Sequence, residues 1–468
     1  MKRLSGLDAS FLYLETPSQM LHVCGLIVLQ PDSIPGGYEF ESMRAELTER
    51  VLAAPEFRQK LRHVPLELDH PVWVDDEHFD IERHVHRLAL PEPGGDKELA
   101  DLCGHLAGLP LDRSRPLWEM WVIEGLADGR VAVMAKMHHA TVDGMSGMSL
   151  LAHLCSLEPA PPAPAPLDPD SVAHAPGELG LLARGVLSNL RKPLHLARLV
   201  PPTVAALGGT VGRARAGAAM AAPITAPRTA VNGTITGRRA IAFRDLDLGT
   251  IKEIKNLTGS TVNDVVLSLC GGALRRYLDD RGELPEQSLL ATVPVSVRGD
   301  SGADGSNQVS AFFARLGTDL VDPLERLAAV AEGNRVAKEH QQTIPASALQ
   351  EWAEFAAPRT FGLAVRLYSG LRLAEKHPVV HNLVISNVPG PPVPIYFMGA
   401  LVEAMYPLGP VFHGAGLNIT VLSSNGRVHV GLIACKEQMP RLWDLADEFA
   451  LELDALHSAA RALADAPS

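Results

Sequence analysis

Residues 134–144 read MAKMHHATVDG, and this stretch decides the fold more than any other. The segment before it, 130–137, alternates in the manner of a half-buried strand, so the pair His138 and His139 is predicted at the end of that strand. Neighbouring side chains of a strand point to opposite faces, so at most one of the two imidazoles faces a given cleft. With an ordinary pKa of about 6.5, that imidazole can serve as a general base near neutral pH.

Two other interpretations of the histidines stay open. A buried histidine is often only a hydrogen-bonded core residue. His139 and Asp143, four positions apart, can share a helix face and bind a metal, but tetrahedral zinc needs three or four protein ligands, and neither HExxH nor CxxC occurs here. We therefore expect no metal. Asp143 is interpreted as holding the turn ahead of a helix over 146–157, and Gly144 as allowing a close or unusual backbone path.

The composition indicates a soluble globular protein of two or three domains, with 468 residues, 46% hydrophobic and 21% charged. The net charge of -12 argues against a nucleic-acid partner. Five scattered cysteines, none in a CxxC pair, suit a reduced compartment. The chain shows neither a signal peptide nor a run of about 18 apolar residues, so a cytoplasmic location is expected.

The same succession of strand, turn and strand occurs twice. Alternating apolar segments with short turns predict hairpins from 118–125 with 130–137, and from 417–423 with 427–435. A helix is predicted over 439–463, after the second hairpin. This repetition fits two similar halves, of which only the first carries the histidine pair, because the second has Cys435, Lys436 and Glu437 at the corresponding place.

A compositional break separates the halves. Residues 160–169 are mostly Pro and Ala, and 179–244 contain no acidic residue but ten basic ones. Within that region, 181–200 has the leucine spacing of an amphipathic helix, broken or kinked at Pro193, which can attach to an anionic membrane or lipid-storage surface. For 181–200 the alternative is packing on the two domains, whereas for 205–222 we favour an interdomain tether. The predicted domains are 1–157, a linker over 158–235, and 236–468.

Six segments in the same order resemble the bacterial wax ester synthase/diacylglycerol acyltransferase family, particularly its actinobacterial triacylglycerol synthases. HHxxxDG at 138–144 is also similar to the signature of acyltransferases built like chloramphenicol acetyltransferase, which include peptide-synthetase condensation domains. The resemblance extends to about Leu451. The other five segments are LDASFL at 7–12, PLDRSRPLWE at 110–119, TVND at 261–264, VPVSVR at 293–298 and SNVPGP at 386–391.

The resemblance implies an α/β fold of two chloramphenicol-acetyltransferase-like domains, of the coenzyme A-dependent acyltransferase type. They would form a pseudo-dimer with the active site between them, reached from both faces through a tunnel. It implies transfer of a long-chain acyl group from acyl-CoA to diacylglycerol, with long-chain alcohols as second acceptors and no bound cofactor. His139 would be the general base and His138 an orienting neighbour. A membrane or lipid-droplet surface is the expected peripheral partner.

Arg298 is the expected partner of Asp143. It ends an apolar strand-like segment, 290–297, where a guanidinium is costly unless paired, and relatives of this fold use an arginine in this way. The alternative is a surface charge at a strand end. Asn263 and Asp264 begin a predicted helix over 265–278 and are typical helix-start residues. The family motif implies a second role in shaping the site, with Asn263 donating to the tetrahedral oxygen.

Two further motifs are candidate substrate-binding segments. Pro116, Leu117 and Trp118 resemble a family motif linked to acyl-chain binding, although a strand start with a buried indole also explains them. Ser386 and Asn387 begin a segment, 386–391, predicted to be irregular backbone that lines a tunnel or crosses between domains, because two prolines cannot donate and a glycine permits positive φ. Since the chain has no phosphate-binding glycine-rich loop, scattered basic side chains and backbone amides are expected to hold coenzyme A.

Two other functions remain open on the sequence. One is a condensation-type enzyme that takes carrier-bound donors, which the absence of an attached carrier domain disfavours. The other is a catalytically inactive lipid-droplet-binding protein, which the intact HHATVDG at 138–144 disfavours.

Overall fold

The computed structural model describes residues 2–141, 154–164, 177–183, 185–187, 224–297, 308–341 and 358–465. Asp143, Gly144 and Arg298 lie outside these ranges, as does most of the predicted amphipathic segment 181–200. The ion pair between Asp143 and Arg298 therefore stays a prediction.

The first half of the described chain is organised around a seven-stranded sheet with the order β5-β6-β7-β2-β14-β13-β8. Its β6–β7 hairpin is the one that the alternating pattern predicts, and the prediction is confirmed. The strands are β2 His22–Gln30, β5 Val85–Ala89, β6 Trp118–Glu124, β7 Val131–His138, β8 Cys155–Ser156, β13 Tyr396–Phe397 and β14 Ala400–Leu408.

Alternation of side chains along these strands gives the sheet two buried faces. One face packs on helix α2, Phe40–Ala53, where Phe40, Met43 and Leu47 are spaced at three and four residues. The other packs on helix α4, Asp96–Gly108, and also meets the second half of the chain. A small sheet, β1-β4-β3, lies beside this layer. Its strands and the helices of this half are β1 Lys2–Arg3, β3 Gln59–Arg62, β4 Val72–Asp75, α1 Gly6–Leu14, α2 Phe40–Ala53, α3 Pro55–Arg58 and α4 Asp96–Gly108.

The second half contains a six-stranded sheet with the order β11-β10-β12-β15-β16-β9. Its β15–β16 hairpin and the helix after it confirm the second set of predicted elements. The strands are β9 Arg239–Asp247, β10 Leu290–Val297, β11 Gln308–Arg315, β12 Leu383–Pro389, β15 Leu417–Ser424 and β16 Arg427–Cys435. The helices are α5 Leu248–Thr258, α6 Val262–Asp279, α7 Pro323–Gln341, α8 Pro358–Gly370 and α9 Leu442–Asp465.

The core of the second half lies between its sheet and its helices. The inner face of α9 carries Leu445, Phe449 and Leu456, which are fully buried. Helix α6 begins with a capping box, in which the Asp264 carboxylate accepts from the backbone N–H of Thr261 and the Thr261 hydroxyl accepts in return. The two-half α/β architecture predicted from the repetition is thus confirmed.

Two local predictions are wrong. Residues 386–389 are not irregular, because they continue β12, which pairs in parallel with β15 as far as Pro389. The missing N–H of this proline falls at the end of the strand, where it costs little. The helix predicted over 146–157 does not reach its expected end, because Cys155–Ser156 form β8 against β13.

The two halves share strands. Strand β14 comes from the second half in sequence but pairs with β2 in the first sheet, from Leu401 opposite Gln30 to Leu408 opposite Cys24. It also packs against the β15–β16 hairpin. The first sheet therefore contains strands from both sides of the predicted domain limit at residue 236. The domain limits themselves stay a prediction.

Candidate active site

The histidine pair lies where β7 ends, as predicted. The backbone N–H of His138 donates to the Leu117 carbonyl at 2.9 Å, and that of His139 donates to the Leu21 carbonyl at 2.8 Å. The chain then enters a 3-10 turn over His139–Thr141, and the Thr141 hydroxyl donates to the His138 carbonyl at 2.6 Å. Hydrogen bonds on both sides therefore fix the backbone of the two histidines.

His138 is buried, with one ring nitrogen hydrogen-bonded and the other facing a carboxylate. Its Nδ1 accepts a hydrogen bond from the backbone N–H of Ala140 at 3.0 Å, so the proton of the neutral ring is on Nε2. That Nε2 lies 3.4 Å from Oε2 of Glu15. Burial lowers the pKa of His138, although the Glu15 carboxylate opposes this. His138 is thus a fixed neutral imidazole whose tautomer is set by its neighbours.

Glu15 is the centre of a buried polar cluster. Besides His138, its carboxylate contacts Nε2 of His22 at 3.1 Å and forms an ion pair with Arg113. Burial alone would raise the pKa of Glu15, but the adjacent imidazoles of His138 and His22 outweigh it and hold that pKa well below its usual range. Burial lowers the pKa of His22 to about 4. The cluster therefore consists of one carboxylate, one guanidinium and two neutral imidazoles.

We call these four residues, Glu15, His22, Arg113 and His138, the Glu15 cluster. Sequence reasoning missed three of them. Glu15 directly follows α1, and Arg113 is 98 residues further along the chain, in the segment before β6. Their positions next to LDASFL and inside PLDRSRPLWE were the available signal. The pattern could not show that these distant segments meet.

His139 has a different environment from His138. Its imidazole stacks on Phe11 of α1, with ring centroids 4.0 Å apart and planes inclined by 25°. Its side chain is half-buried, and among the described residues none bonds to its buried Nδ1. Burial, and to a lesser degree His138, lowers the pKa of His139 to about 4. At neutral pH this ring is uncharged and able to accept a proton.

The loop between Glu15 and His22 connects the site to the second half. The Arg239 guanidinium donates to the Ser18 carbonyl at 2.7 Å, and the backbone N–H of His413 donates to the Gln19 side-chain carbonyl at 2.8 Å. The histidine pair therefore lies beside the contact between the halves.

Asn263 and Asn387, predicted from separate motifs, are brought together. The Asn387 amide donates to Oδ1 of Asn263 at 3.3 Å, which leaves the Asn263 amide N–H groups to bond elsewhere. Asp264 instead caps α6 and accepts from the Asn334 amide at 2.7 Å. Among the hydrogen bonds of the described residues, none joins Asn263 or Asp264 to the histidines.

The PLW motif is part of the core beside the site. Pro116, Leu117 and Trp118 are all buried. The Trp118 indole N–H donates to the Phe57 carbonyl at 2.6 Å, while Leu117 packs in the same apolar cluster as Ala140. Ser386 is half-buried in β12. A role in substrate binding for these residues stays a prediction.

Within the described ranges, no helix is both long and apolar enough to cross a membrane. The same ranges contain no group of three or more His, Cys, Asp or Glu residues placed to hold a metal ion.

Comparison with known proteins gives two matching family domains. Residues 4–266 match the wax ester synthase/diacylglycerol acyltransferase catalytic domain, and residues 305–457 match the C-terminal domain of the same family. A putative diacylglycerol O-acyltransferase of Mycobacterium tuberculosis is 49% identical over 96% of this chain and 89% of its own length. A probable diacylglycerol O-acyltransferase, tgs2, of the same organism is 35% identical over 97% of this chain and 98% of its own.

Comparison with solved structures gives the same family. The wax ester synthase/diacylglycerol acyltransferase of Marinobacter aquaeolei superposes with a TM-score of 0.70 at 31% identity, covering 98% of this chain and 100% of that one. The first condensation domain of the calcium-dependent antibiotic synthetase, at 13% identity, has a TM-score of 0.57 over 98% of this chain and 96% of its own and shares the fold alone. The predicted pseudo-dimer of two acyltransferase-like domains is thus confirmed. The chain belongs to the wax ester synthase/diacylglycerol acyltransferase family.

Proposed function

We propose that this enzyme transfers a long-chain acyl group from acyl-CoA to diacylglycerol, forming triacylglycerol, with His139 as the general base and long-chain alcohols as second acceptors. The observation that carries the proposal is the position of the His139 imidazole, stacked on Phe11 beside His138, whose ring lies against the Glu15 carboxylate. A base held in this way can act repeatedly without rearrangement.

The reaction needs no acyl-enzyme. His139 removes the proton of the acceptor hydroxyl as that oxygen attacks the thioester carbonyl carbon. A tetrahedral oxyanion forms, the C–S bond breaks, and the departing thiolate takes the proton back from His139. The face of Phe11 favours the transient imidazolium, since a cation is attracted to an aromatic face.

His138 acts by position rather than as a base. Its Nδ1 is occupied by the backbone of Ala140 and its Nε2 faces Glu15, so neither nitrogen is available to substrate. We assign Asp143 and Gly144 to the shape of the following turn, and Arg298 to an ion pair with Asp143. Removing one member of such a pair leaves an uncompensated charge.

Asn263 is the proposed donor to the oxyanion, because its Oδ1 already accepts from Asn387 and its amide N–H groups remain. Asn263→Ala is expected to lower kcat about tenfold, the kinetic equivalent of one hydrogen bond of about 1.4 kcal/mol. The KM for acyl-CoA should change little. Asn256→Ala, an exposed position on α5, is the matched control. If steady-state kinetics give Asn263→Ala the same kcat as this control, Asn263 is not the donor to the oxyanion.

The donor is acyl-CoA, used as a co-substrate. We propose Pro116, Leu117, Trp118, Ser386 and Asn387 as residues that shape the acyl and acceptor channel. Because diacylglycerol is insoluble in water, the enzyme is proposed to work peripherally on the cytoplasmic side of the inner membrane or on lipid droplets. Basic residues of the segment 181–200 would add attraction to anionic lipid.

The pH dependence of kcat/KM follows from the environment of His139. The base must be neutral, and its pKa is lowered to about 4, so activity should be lost only as the pH falls through that value. Between about pH 8 and pH 6 the profile should be level, with an acid limb far below the pKa of about 6.5 of an ordinary imidazole. Circular dichroism at each pH separates this limb from unfolding. An acid limb centred near the ordinary value would contradict the burial of the base.

A further inference from the structure

Helix α8 presents a row of leucines to solvent. Leu363, Leu367 and Leu371 follow one another at intervals of four residues and are 57%, 53% and 55% exposed. The backbone N–H of Leu371 donates to the Leu367 carbonyl at 2.9 Å, so the turn continues just past the end of the helix. Residues at this spacing lie on one face. Single exposed leucines are ordinary, whereas an aligned row indicates an interaction surface.

The opposite side of α8 lies close to the active site. Helix α8 packs on α1, and α1 packs on the turn that carries His139. The Phe11 ring that stacks on His139 belongs to the same α1. Helices α8 and α1 therefore lie between a molecule that contacts the leucine row and the turn that carries His139.

The charge around α8 is opposite to that of the whole chain. Residues 358–376 contain Arg359, Arg366, Arg372 and Lys376 but one acid, Glu375, a balance of +3 within a chain of net charge -12. Glu375 pairs with Arg372 at 2.7 Å. An apolar row flanked by basic side chains is the pattern of helices that lie in the interface of an anionic lipid layer.

A second apolar strip occurs near α1. The helical residues 178–183 and 185–187 include Leu181, which packs on Val64, Val72 and Val74 at the small sheet. Leu179, Val186 and Leu187 of the same segment are exposed. Since α1 packs on Leu61 and Trp73, on the other face of this small sheet, the sheet lies between the second strip and the helix that supports the site.

We propose that the outer face of α8 docks on an anionic lipid surface, so that a membrane-held acceptor reaches His139 past α1. This inference rests on the proposed function, because it assumes a lipid acceptor. A soluble protein partner fits less well, since among the described residues 361–376 the one acidic side chain, Glu375, is already paired with Arg372.

Binding of the full chain to vesicles tests the proposal directly. The variant carries Leu363→Gln, Leu367→Gln and Leu371→Gln, and the matched control carries Leu451→Gln and Leu463→Gln, at α9 positions that are 54% and 55% exposed. With vesicles of phosphatidylcholine and phosphatidylglycerol, the variant is expected to bind at least about tenfold more weakly, because each leucine loses its apolar burial. The control should bind like the wild type.

A second variant separates charge from apolar contact. Arg366→Gln with Lys376→Gln should weaken binding about fivefold for each charge removed, and only when the vesicles contain phosphatidylglycerol. Equal weakening on pure phosphatidylcholine would overturn the electrostatic part of the proposal.

Activity measurements distinguish docking from catalysis. The triple leucine variant should acylate a short-chain alcohol in solution at the wild-type rate and lose activity only on diacylglycerol in vesicles. Undiminished vesicle binding by the triple leucine variant would overturn the proposal. A loss of its activity on the soluble alcohol would do the same. So would conversion of a dimer to a monomer with unchanged vesicle binding. A wild-type protein that acylates neither acceptor would contradict the proposed function, while the vesicle comparison would still decide the docking surface.

Discussion

His139→Ala is expected to lower turnover by about a hundredfold to ten-thousandfold, the usual contribution of a general base, while the melting temperature changes little. The ring is half-buried and, among the described residues, its main contact is the stacked Phe11. The substitution therefore removes the general base but few packing contacts. Steady-state assays with saturating acyl-CoA, alongside thermal unfolding of the same preparation, measure both effects.

His138→Ala is the companion variant. It should reduce turnover less than His139→Ala but lower stability more, because His138 is buried and holds both Ala140 and Glu15. Equal losses of turnover in the two variants at an unchanged melting temperature would defeat the assignment of base and neighbour.

Glu15→Gln is expected to lower the free energy of unfolding by about 3 kcal/mol, the lower end of the range for breaking a buried ion pair. The lower end applies because Arg113, its charged partner, is 38% exposed and keeps part of its hydration. The amide of the glutamine has the shape of the Glu15 carboxylate but lacks its negative charge. The guanidinium of Arg113 and the imidazoles of His22 and His138 then lie beside a neutral group. Chemical denaturation measures this loss.

The effect of Glu15 on stability has a definite pH dependence. Its pKa is lower in the folded state, so its contribution is present above the unfolded value of about 4.3 and is lost as the pH falls towards the folded value. Glu15→Gln should therefore differ most from the wild type near neutral pH and less in acid. A constant difference down to low pH would contradict the lowered pKa.

Glu15 should also affect catalysis through position. In Glu15→Gln we expect kcat to fall with little change in the KM for acyl-CoA, because His138 loses the carboxylate that orients it. Glu15→Asp should restore part of kcat. The matched control is Glu332→Gln, which breaks the exposed pair with Arg335 and should leave stability and kcat nearly unchanged. A purely structural role would lower stability without changing kcat in the protein that remains folded.

The elements nearest the histidines were predictable from sequence because local rules determine them. Alternation and a short turn are enough to predict the β6–β7 hairpin, and the histidine pair falls where that alternation ends. The β15–β16 hairpin follows in the same way from Asn425 and Gly426 at its turn. Asp264 was predicted at a helix start and is found there in a capping box.

The long-range features were not predictable, because they depend on which distant segments meet. Strand β14 joins the first sheet through pairing with β2, whose paired residues are 371 to 384 positions away in sequence, and no local pattern specifies that partner. Glu15 and Arg113 lie 98 residues apart in the sequence, and only the fold brings them together beside His138. The prolines of 386–391 suggested irregular backbone, yet tertiary pairing with β15 extends β12 through Pro389.

The central claim, that His139 is the base of acyl transfer from acyl-CoA to diacylglycerol, is tested most directly with purified protein, labelled acyl-CoA and diacylglycerol in vesicles. The wild type should form labelled triacylglycerol and release one coenzyme A for each product, and without acceptor the protein should carry no covalent label. His139→Ala should form about a hundredfold less product or lower still. Product formed by His139→Ala at the wild-type rate, or no triacylglycerol from the wild type, would contradict the account.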